Sequence, residues 1–318
     1  MLSKKKQILI AGATGLIGQS LTRLLVKKGY KVMVLTRSPQ QVHEEFPDMV
    51  GYIEWGGIFT SWLVREVEKS AAIINLAGEG IASKRWTRRR RMQLIRSRLG
   101  TTRALAKACH YANKKPDVFL QASAAGYYPL NSSSTFMEDT APGKTFLSRL
   151  SSDWEAVAKK EIPESIRLVL LRTGVVLSPN GGMLRELLRP IKLFVGGWFG
   201  SGKQMVPWIH IDDQVRAITH LMENSDAKGP FNLASPSPLS QKKLVKRVAR
   251  ELKRPAWVPI PAMPIKLMFG QMGRELLLSG NSISPSKLID SGFVFTFPTI
   301  NEALSDLLDR NRSNDIIS

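Results

Sequence analysis

Short apolar runs alternate with stretches of helical period through the first half of the chain. Ile8 to Ile10 is a strand-length run bounded by Gly12, of the kind buried on both faces of a sheet. Leu16, Ile17, Leu21, Leu24 and Leu25 then keep one helical face, and Gly29 supplies its stop. Strand patterns return at Lys31 to Leu35 and Tyr52 to Glu54, before a helix over Ser61 to Lys69 capped by Thr60 or Ser61. Ala71 to Leu76, Val118 to Gln121 and Ile166 to Leu171 read as buried strands. Between them lie a long helix through Leu94, Ile95, Leu99 and Leu105 and another around Phe146 to Glu155. This alternation predicts an α/β fold: a Rossmann-type doubly wound parallel sheet, helices on both faces, with a smaller C-terminal lobe over the strand ends.

Regular alternation stops after Val176. Glycines at 181–182, 196–197, 200 and 202 punctuate a loop-rich region. Asp212 or Asp213 is the expected cap of a helix through Val215, Ile218 and Leu221, and Phe231 to Leu233 is one more strand. Ser240 or Leu239 opens a helix through Leu244, Val248 and Leu252, prolines from Pro255 to Pro264 mark a loop, and Ile300 to Leu308 is a closing helix. The organisation predicted is a Rossmann domain over 1–176, its sheet completed by about 206–235. Residues 177–205 and 236–308 then form a substrate lobe and C-terminal module, and 309–318 a frayed tail.

Gly12, Gly15 and Gly18 stand between the first strand and first helix at the spacing of a dinucleotide fingerprint. The first permits a tight turn, the second close approach of backbone to a pyrophosphate, and the third close packing of helix on strand. Ala13, Thr14, Leu16 and Ile17 complete the loop and the helix N-terminus on which phosphate would sit. The flanking strand and helix are the context the motif requires. At the tip of the second strand, where an acidic residue would bond the ribose of NAD, stand Thr36, Arg37 and Ser38. An arginine there accepts a 2′-phosphate, so NADP(H) is preferred over NAD(H). The plain alternative is a solvated loop arginine.

A formal charge of +20 is the unusual bulk property. It suits nucleic acid, an anionic membrane surface, or a polyanionic cofactor with an acidic substrate. Basic residues are densest from Lys84 to Arg98, with four arginines at 88–91. A solvated helix start, an anion subsite at the cofactor mouth and a nucleic-acid patch are the readings, in that order, since aromatic interleaving stops at Trp86. No apolar run is long enough to cross a bilayer, so no membrane partner is expected. The basic start before Ile8 resembles a signal peptide, but its cleavage would remove the first strand. Cys109 stands alone, in keeping with a reducing cytoplasm. His43, His110, His210 and His220 show no metal-ligand spacing, and no metal is expected.

Three segments, GATGLIG, the strand-ending NLAG and SAAGYY, resemble the extended short-chain dehydrogenase/reductase superfamily. IASKRWT, SRLGTTRAL and GSGKQMVPWIHIDD narrow the resemblance to its atypical NAD(P)-dependent epimerase branch, which includes a human family 39U protein and bacterial relatives. The stretch from Val258 to Phe295 is similar to that branch's C-terminal module. The resemblance spans about Ile8 to Leu308 and implies that Asn75, Leu76, Ala77 and Gly78 line the cofactor. It implies that Ser123 holds the substrate carbonyl or hydroxyl; a local turn cap is the alternative. The sixth strand's end should meet the nicotinamide, through Thr173 or the backbone from Gly174 to Val176.

The superfamily's Tyr-x-x-x-Lys pair is missing. Its expected helix, FLSRLSSDWE, holds neither residue, with Leu147 and Ser151 in their places, and Tyr111 and Lys115 fall on the wrong helix. Tyr127 is the best substitute acid/base by location and Tyr128 the second, facing substrate; aromatic packing is the competing reading for both. His210 is either a lining of the substrate cleft or a buried, hydrogen-bonded residue. The function implied is an NADP-dependent oxidoreductase or epimerase-like protein acting on a small polar molecule, a sugar among the options. The alternative is a non-catalytic NADPH-binding regulatory or redox-sensing protein. A nucleic-acid partner ranks last, and the oligomeric state stays open.

Overall fold

The computed structural model describes residues 7–130 and 134–317, with side chains to 310. The basic start and Ser318 lie outside the described residues. Seven parallel strands form the central sheet: β1 (Gln7–Ala11), β2 (Lys31–Thr36), β3 (Gly51–Glu54), β4 (Ser70–Asn75), β5 (Val118–Ala124), β6 (Arg167–Thr173) and β7 (Gly229–Leu233). Their order is β7-β6-β5-β4-β1-β2-β3, so the chain reverses direction across the sheet between β1 and β4. A crevice at the strand ends is the consequence, and it is where doubly wound sheets bind ligands.

The helices are α1 (Leu16–Lys27), α2 (Pro39–Glu45), α3 (Ser61–Lys69), α4 (Arg88–Tyr111), α5 (Phe146–Glu161), α6 (Gly182–Lys192), α7 (Ile211–Glu223), α8 (Gln241–Glu251), α9 (Ala262–Met272), α10 (Ser286–Asp290) and α11 (Ile300–Ile317). β1 is buried throughout, and its side chains alternate between two cores. Ile8 and Ile10 join Leu21, Leu25 and Ile218 on one face, whereas Leu9 and Ala11 join Leu63, Val67 and Leu105 on the other. Each such aliphatic side chain contributes about 1.5–3 kcal/mol by leaving water. That two-sided burial is why the strand reads as a continuous apolar run.

Helix ends follow the sequence in part. Thr87, Thr145 and Ser240 cap α4, α5 and α8 through their side chains. Thr60 occupies the cap position of α3 without a side-chain bond. The expectation that Asp212 or Asp213 caps α7 is overturned: His210 is the cap, its Nδ1 accepting from the Asp212 N–H at 3.0 Å. Asp213 is instead buried, accepting from the backbone N–H groups of Thr296 and Phe297. The closing helix also outruns its predicted end at Leu308 and reaches Ile317.

The C-terminal module is tied to α5 by a carboxylate. Glu275, in the wide helical turn after α9, accepts from the Phe146 and Leu147 N–H groups at 3.2 and 3.0 Å. It satisfies free donors at the N-terminus of α5, where negative charge is favoured. No described helix is long and apolar enough to cross a membrane.

Candidate functional site

The turn from β1 into α1 is built for close backbone contact. Gly12 has φ +88°, and a Cβ there would stand 2.7 Å from the Leu76 carbonyl carbon. A Cβ on Gly18 would lie 2.2 Å from the Gly12 carbonyl oxygen. Ala13 and Thr14 follow Gly12 in a loop that presses on the Leu76–Ala77 backbone, and Leu16 and Ile17 open α1. α1 starts at Gly15 with no side-chain cap and no acidic residue in its first turn. Its leading N–H groups and the helix dipole favour an anion. This cradle fits a dinucleotide pyrophosphate.

Asn75 serves the loop rather than the cleft. It is fully buried, its Oδ1 accepts from the Ala77 N–H at 3.2 Å, and its amide donates to Gln121 and Thr102. Leu76 is anchored by its N–H to the Ala11 carbonyl. Beside Gly78 lies Arg98, which donates to the Glu79 carbonyl and stacks over Trp154. Burial, with Arg90 adding to it, pushes the Arg98 guanidinium down to about 10.

Arg37 stands at the β2 tip, its side chain 72% exposed and 3.0 Å from Glu79. Thr36 receives the Ser38 N–H and shapes the turn. Glu79 also meets Arg90 at 3.1 Å, and bonds from Arg90 and then Arg37 hold its carboxyl below the usual range. The arginine run thus divides. Arg88 and Arg89 are exposed, Arg90 is buried against the Glu79–Ser83 loop, and Arg91 donates to Gln271 of the C-terminal module.

Around Ser123 the structure assembles a cluster that the sequence did not announce. Ser123 Oγ donates to Glu155 at 2.7 Å, and Arg172 clasps the same carboxylate with both ends of its guanidinium, at 2.8 and 2.9 Å. All three are buried. Burial works against the Arg172 charge, but Glu155 outweighs it and holds the guanidinium above its ordinary value. Arg172 also donates to the Tyr128 hydroxyl, which donates onward to Asn232 Oδ1 at 2.7 Å. The Arg172 guanidinium carbon lies 3.6 Å from the Tyr127 ring centroid. Arg172 had a signal, as the one charge in the run from Leu168 to Leu177, whereas Glu155 lies on a helix that also carries Arg149, Asp153 and Lys159 and had none.

Several expected roles change here. Tyr128 is fully buried, and burial pushes its phenol up to about 12, so it is a packed structural tyrosine and not a substrate contact. The Tyr127 hydroxyl makes no hydrogen bond among the described residues, and its ring packs on Arg172, the guanidinium that shares Glu155 with Ser123. The Gly174 and Val175 N–H groups, expected to hold a carboxamide, are taken by the Leu233 and Pro207 carbonyls. Thr173 remains at the β6 end, accepting from Gln214 at 3.1 Å.

His210 does not line a cleft. It is buried, stacked on Phe297 at 3.9 Å, with Nε2 at 3.1 Å from Asp306. His210, Asp212 and Asp306 do come together in a potential metal-binding geometry, but Arg310 is paired with both aspartates and fills the cation's place. Burial lowers the His210 pKa, and its Nδ1 must stay unprotonated to accept the Asp212 N–H. A base whose folded-state pKa is depressed contributes stability that is complete above its unfolded value, about 6.5, and lost as pH falls towards the folded one. Thermal midpoints should therefore fall on acidification below about pH 6.5, and less steeply in His210→Asn, whose side chain can still cap α7. Equal slopes for both proteins would overturn this role.

Comparison with known proteins then fixes the family. The profile of the NAD dependent epimerase/dehydratase family matches residues 8–234, and that of a domain of unknown function, DUF1731, matches residues 260–307. The chain belongs to the NAD dependent epimerase/dehydratase family. An epimerase family protein of Staphylococcus haemolyticus is 36% identical over 306 residues, covering 96% of this chain and 99% of that one. Epimerase family protein SDR39U1 of Bos taurus is 34% identical over 307 residues, 95% of this chain and 99% of its own length. The crystal structure of human SDR39U1 with NADPH has TM-score 0.83 and 31% identity, covering 95% of this chain and 99% of that one. A UDP-glucuronic acid 4-epimerase from Bacillus cereus, in complex with UDP-glucuronic acid and NAD, shares the fold at TM-score 0.78 and 18% identity.

Proposed function

We propose that the protein is an NADP(H)-dependent oxidoreductase or epimerase-like enzyme acting on a small polar substrate, with sugar nucleotides the first class to try. The observation that carries this reading is the glycine cradle between β1 and α1, with Arg37 at the adjacent strand tip. NADPH bound to human SDR39U1 supports it. When bound, the cofactor supplies a hydride donor or acceptor at its nicotinamide. The chain's own residues then hold phosphate at Gly12–Gly18 and take the 2′-phosphate on Arg37, with Glu79 released as its partner. Ser123 and Tyr127 meet the reacting oxygen, Tyr127 moving the proton at its hydroxyl and Arg172 fixing its ring. Residues 177–205 and 236–308 form the substrate lobe. A cleft of about 440 Å³ between the 129–130 turn and the module carries Lys144, Arg274 and Glu275 on its wall and suits a polar group.

Fluorescence titration with NADPH and NADH tests the cofactor reading. Arg37→Ala should weaken NADPH binding about 10- to 100-fold, the worth of a charged hydrogen bond, and leave NADH unchanged. Absence of binding by either nucleotide would end the proposal.

A second reading has an observation of its own. The Ser123 and Tyr128 hydroxyls are both engaged by internal partners, as expected of a non-catalytic NADPH-binding regulator. Sustained NADPH oxidation with any carbonyl compound or sugar nucleotide would remove that reading.

A further inference from the structure

Nine of the seventeen large apolar side chains that stand exposed among the described residues lie between 193 and 268. Leu193, Phe194 and Val195 form the turn leaving α6, all more than half exposed. Strand Gly196–Phe199 begins immediately afterwards and pairs with strand Ala256–Ile260, along which Trp257, Val258 and Ile260 face solvent. α9 starts two residues further on, and its outer side presents Met263, Leu267 and Met268 at 64–72% exposure. One ribbon therefore joins all three groups. A register shift between Ala256 and Val258 turns Trp257 out of the ladder and leaves it 74% exposed; bulges re-aim side chains in this way. Phe194 is held at φ +64°, an uncommon conformation for a bulky residue. Apolar faces of this extent on a soluble chain mark an interaction surface.

The flank of this face is cationic. From Lys242 to Arg254 there are seven lysines and arginines against the single acid Glu251. Lys243, Lys246, Arg247, Arg250 and Arg254 line a groove of about 540 Å³, and Arg254 reaches over the Phe194 ring at 4.5 Å. Lys266 stands exposed among the apolar residues of α9. Aromatic and aliphatic side chains that protrude beside a basic groove match a bilayer's two layers, acyl boundary and phosphate headgroups. A second copy of the chain fits worse, since a two-fold contact would bring the basic flanks together.

We propose that the ribbon 193–199 and 256–260 with the outer face of α9 docks on an anionic bilayer surface, lying on it without crossing. The test is sedimentation of the full chain with phosphatidylcholine vesicles, pure or containing about 25% phosphatidylglycerol. Binding should require the anionic lipid and weaken with salt. Trp257→Ser with Leu267→Ser, which leaves charge unchanged, should lower partitioning about tenfold, as should Lys246→Glu with Arg250→Glu. Lys114→Ser with Lys115→Ser, exposed beyond the far end of α4, should keep it, and all variants should retain the wild-type thermal midpoint. The proposal fails if the apolar pair binds like wild type, which would reduce binding to overall charge. It fails equally if vesicles of both compositions behave alike or if inorganic phosphate at matched concentration displaces the protein. A dimer that dissolves in the apolar variant, with no vesicle binding, would assign the face to a second copy instead.

Discussion

Glu155→Ala is expected to lower stability by about 3–5 kcal/mol, or roughly 5–7 °C in thermal midpoint for a chain of this size. Arg172 cannot shed its proton, and without Glu155 its charge would be left buried between β6 and α5 with only neutral hydrogen-bond partners, the Tyr128 hydroxyl and the Glu138 carbonyl. The Ser123 hydroxyl would lose its acceptor as well. Breaking a buried pair from one side is costly because of the charge left behind. Glu155→Met with Arg172→Met should accordingly recover most of the loss. Glu155→Gln, which keeps an acceptor for Ser123, should fall between. If Glu155→Ala melts with the wild type, or if the double variant is no better than the single ones, the cluster is not held together in this way. Ser123→Ala separates structure from chemistry. Losing one hydrogen bond to a charged group costs about 1.5–3 kcal/mol, so a much larger fall in turnover would place Ser123 at the substrate.

Why the sheet was legible in the sequence and this cluster was not follows from what each depends on. β1, β4 and α1 are specified by local apolar period, and a strand buried on both faces has no alternative reading once glycine bounds it. The turn from β1 into α1 was equally legible, because its requirement for missing side chains is written in its glycines. Ser123, Glu155 and Arg172 come from β5, α5 and β6, and only the order of strands in the sheet brings them together. The resemblance supplied Ser123 but not its carboxylate partner. His210 shows the same limit: an aspartate after it is the better local cap, yet the imidazole takes the position because Phe297 and Asp306, far along the chain, enclose it. The apolar ribbon was hidden for another reason. Trp257 and Val258 look like core residues to any periodic count, and only the packed structure leaves them outside.

The second large effect is expected at Gly18. A methyl group there would stand 2.2 Å from the Gly12 carbonyl oxygen and 2.7 Å from the Ala13 Cα. Both are backbone, so no side chain can turn aside, and α1 must lift from β1. The leading N–H groups of α1 would move away from the pyrophosphate they are placed to hold, and Gly18→Ala should weaken NADPH binding more than about 100-fold, or roughly 2.7 kcal/mol. Gly12→Ala should act likewise, with the added strain of a non-glycine residue at positive φ. Gly100→Ala is the control, because a Cβ there meets nothing within 4 Å and alanine is the better helix former in α4. It should raise stability by about 0.5–1 kcal/mol and leave binding as it was. Nucleotide titration of the three variants, with circular dichroism to confirm folding, separates the outcomes. A folded Gly18→Ala protein that binds NADPH as tightly as the wild type would show that phosphate is not held at this helix end. The Arg37 reading would fall with it, since both depend on the same cofactor lying across the strand ends.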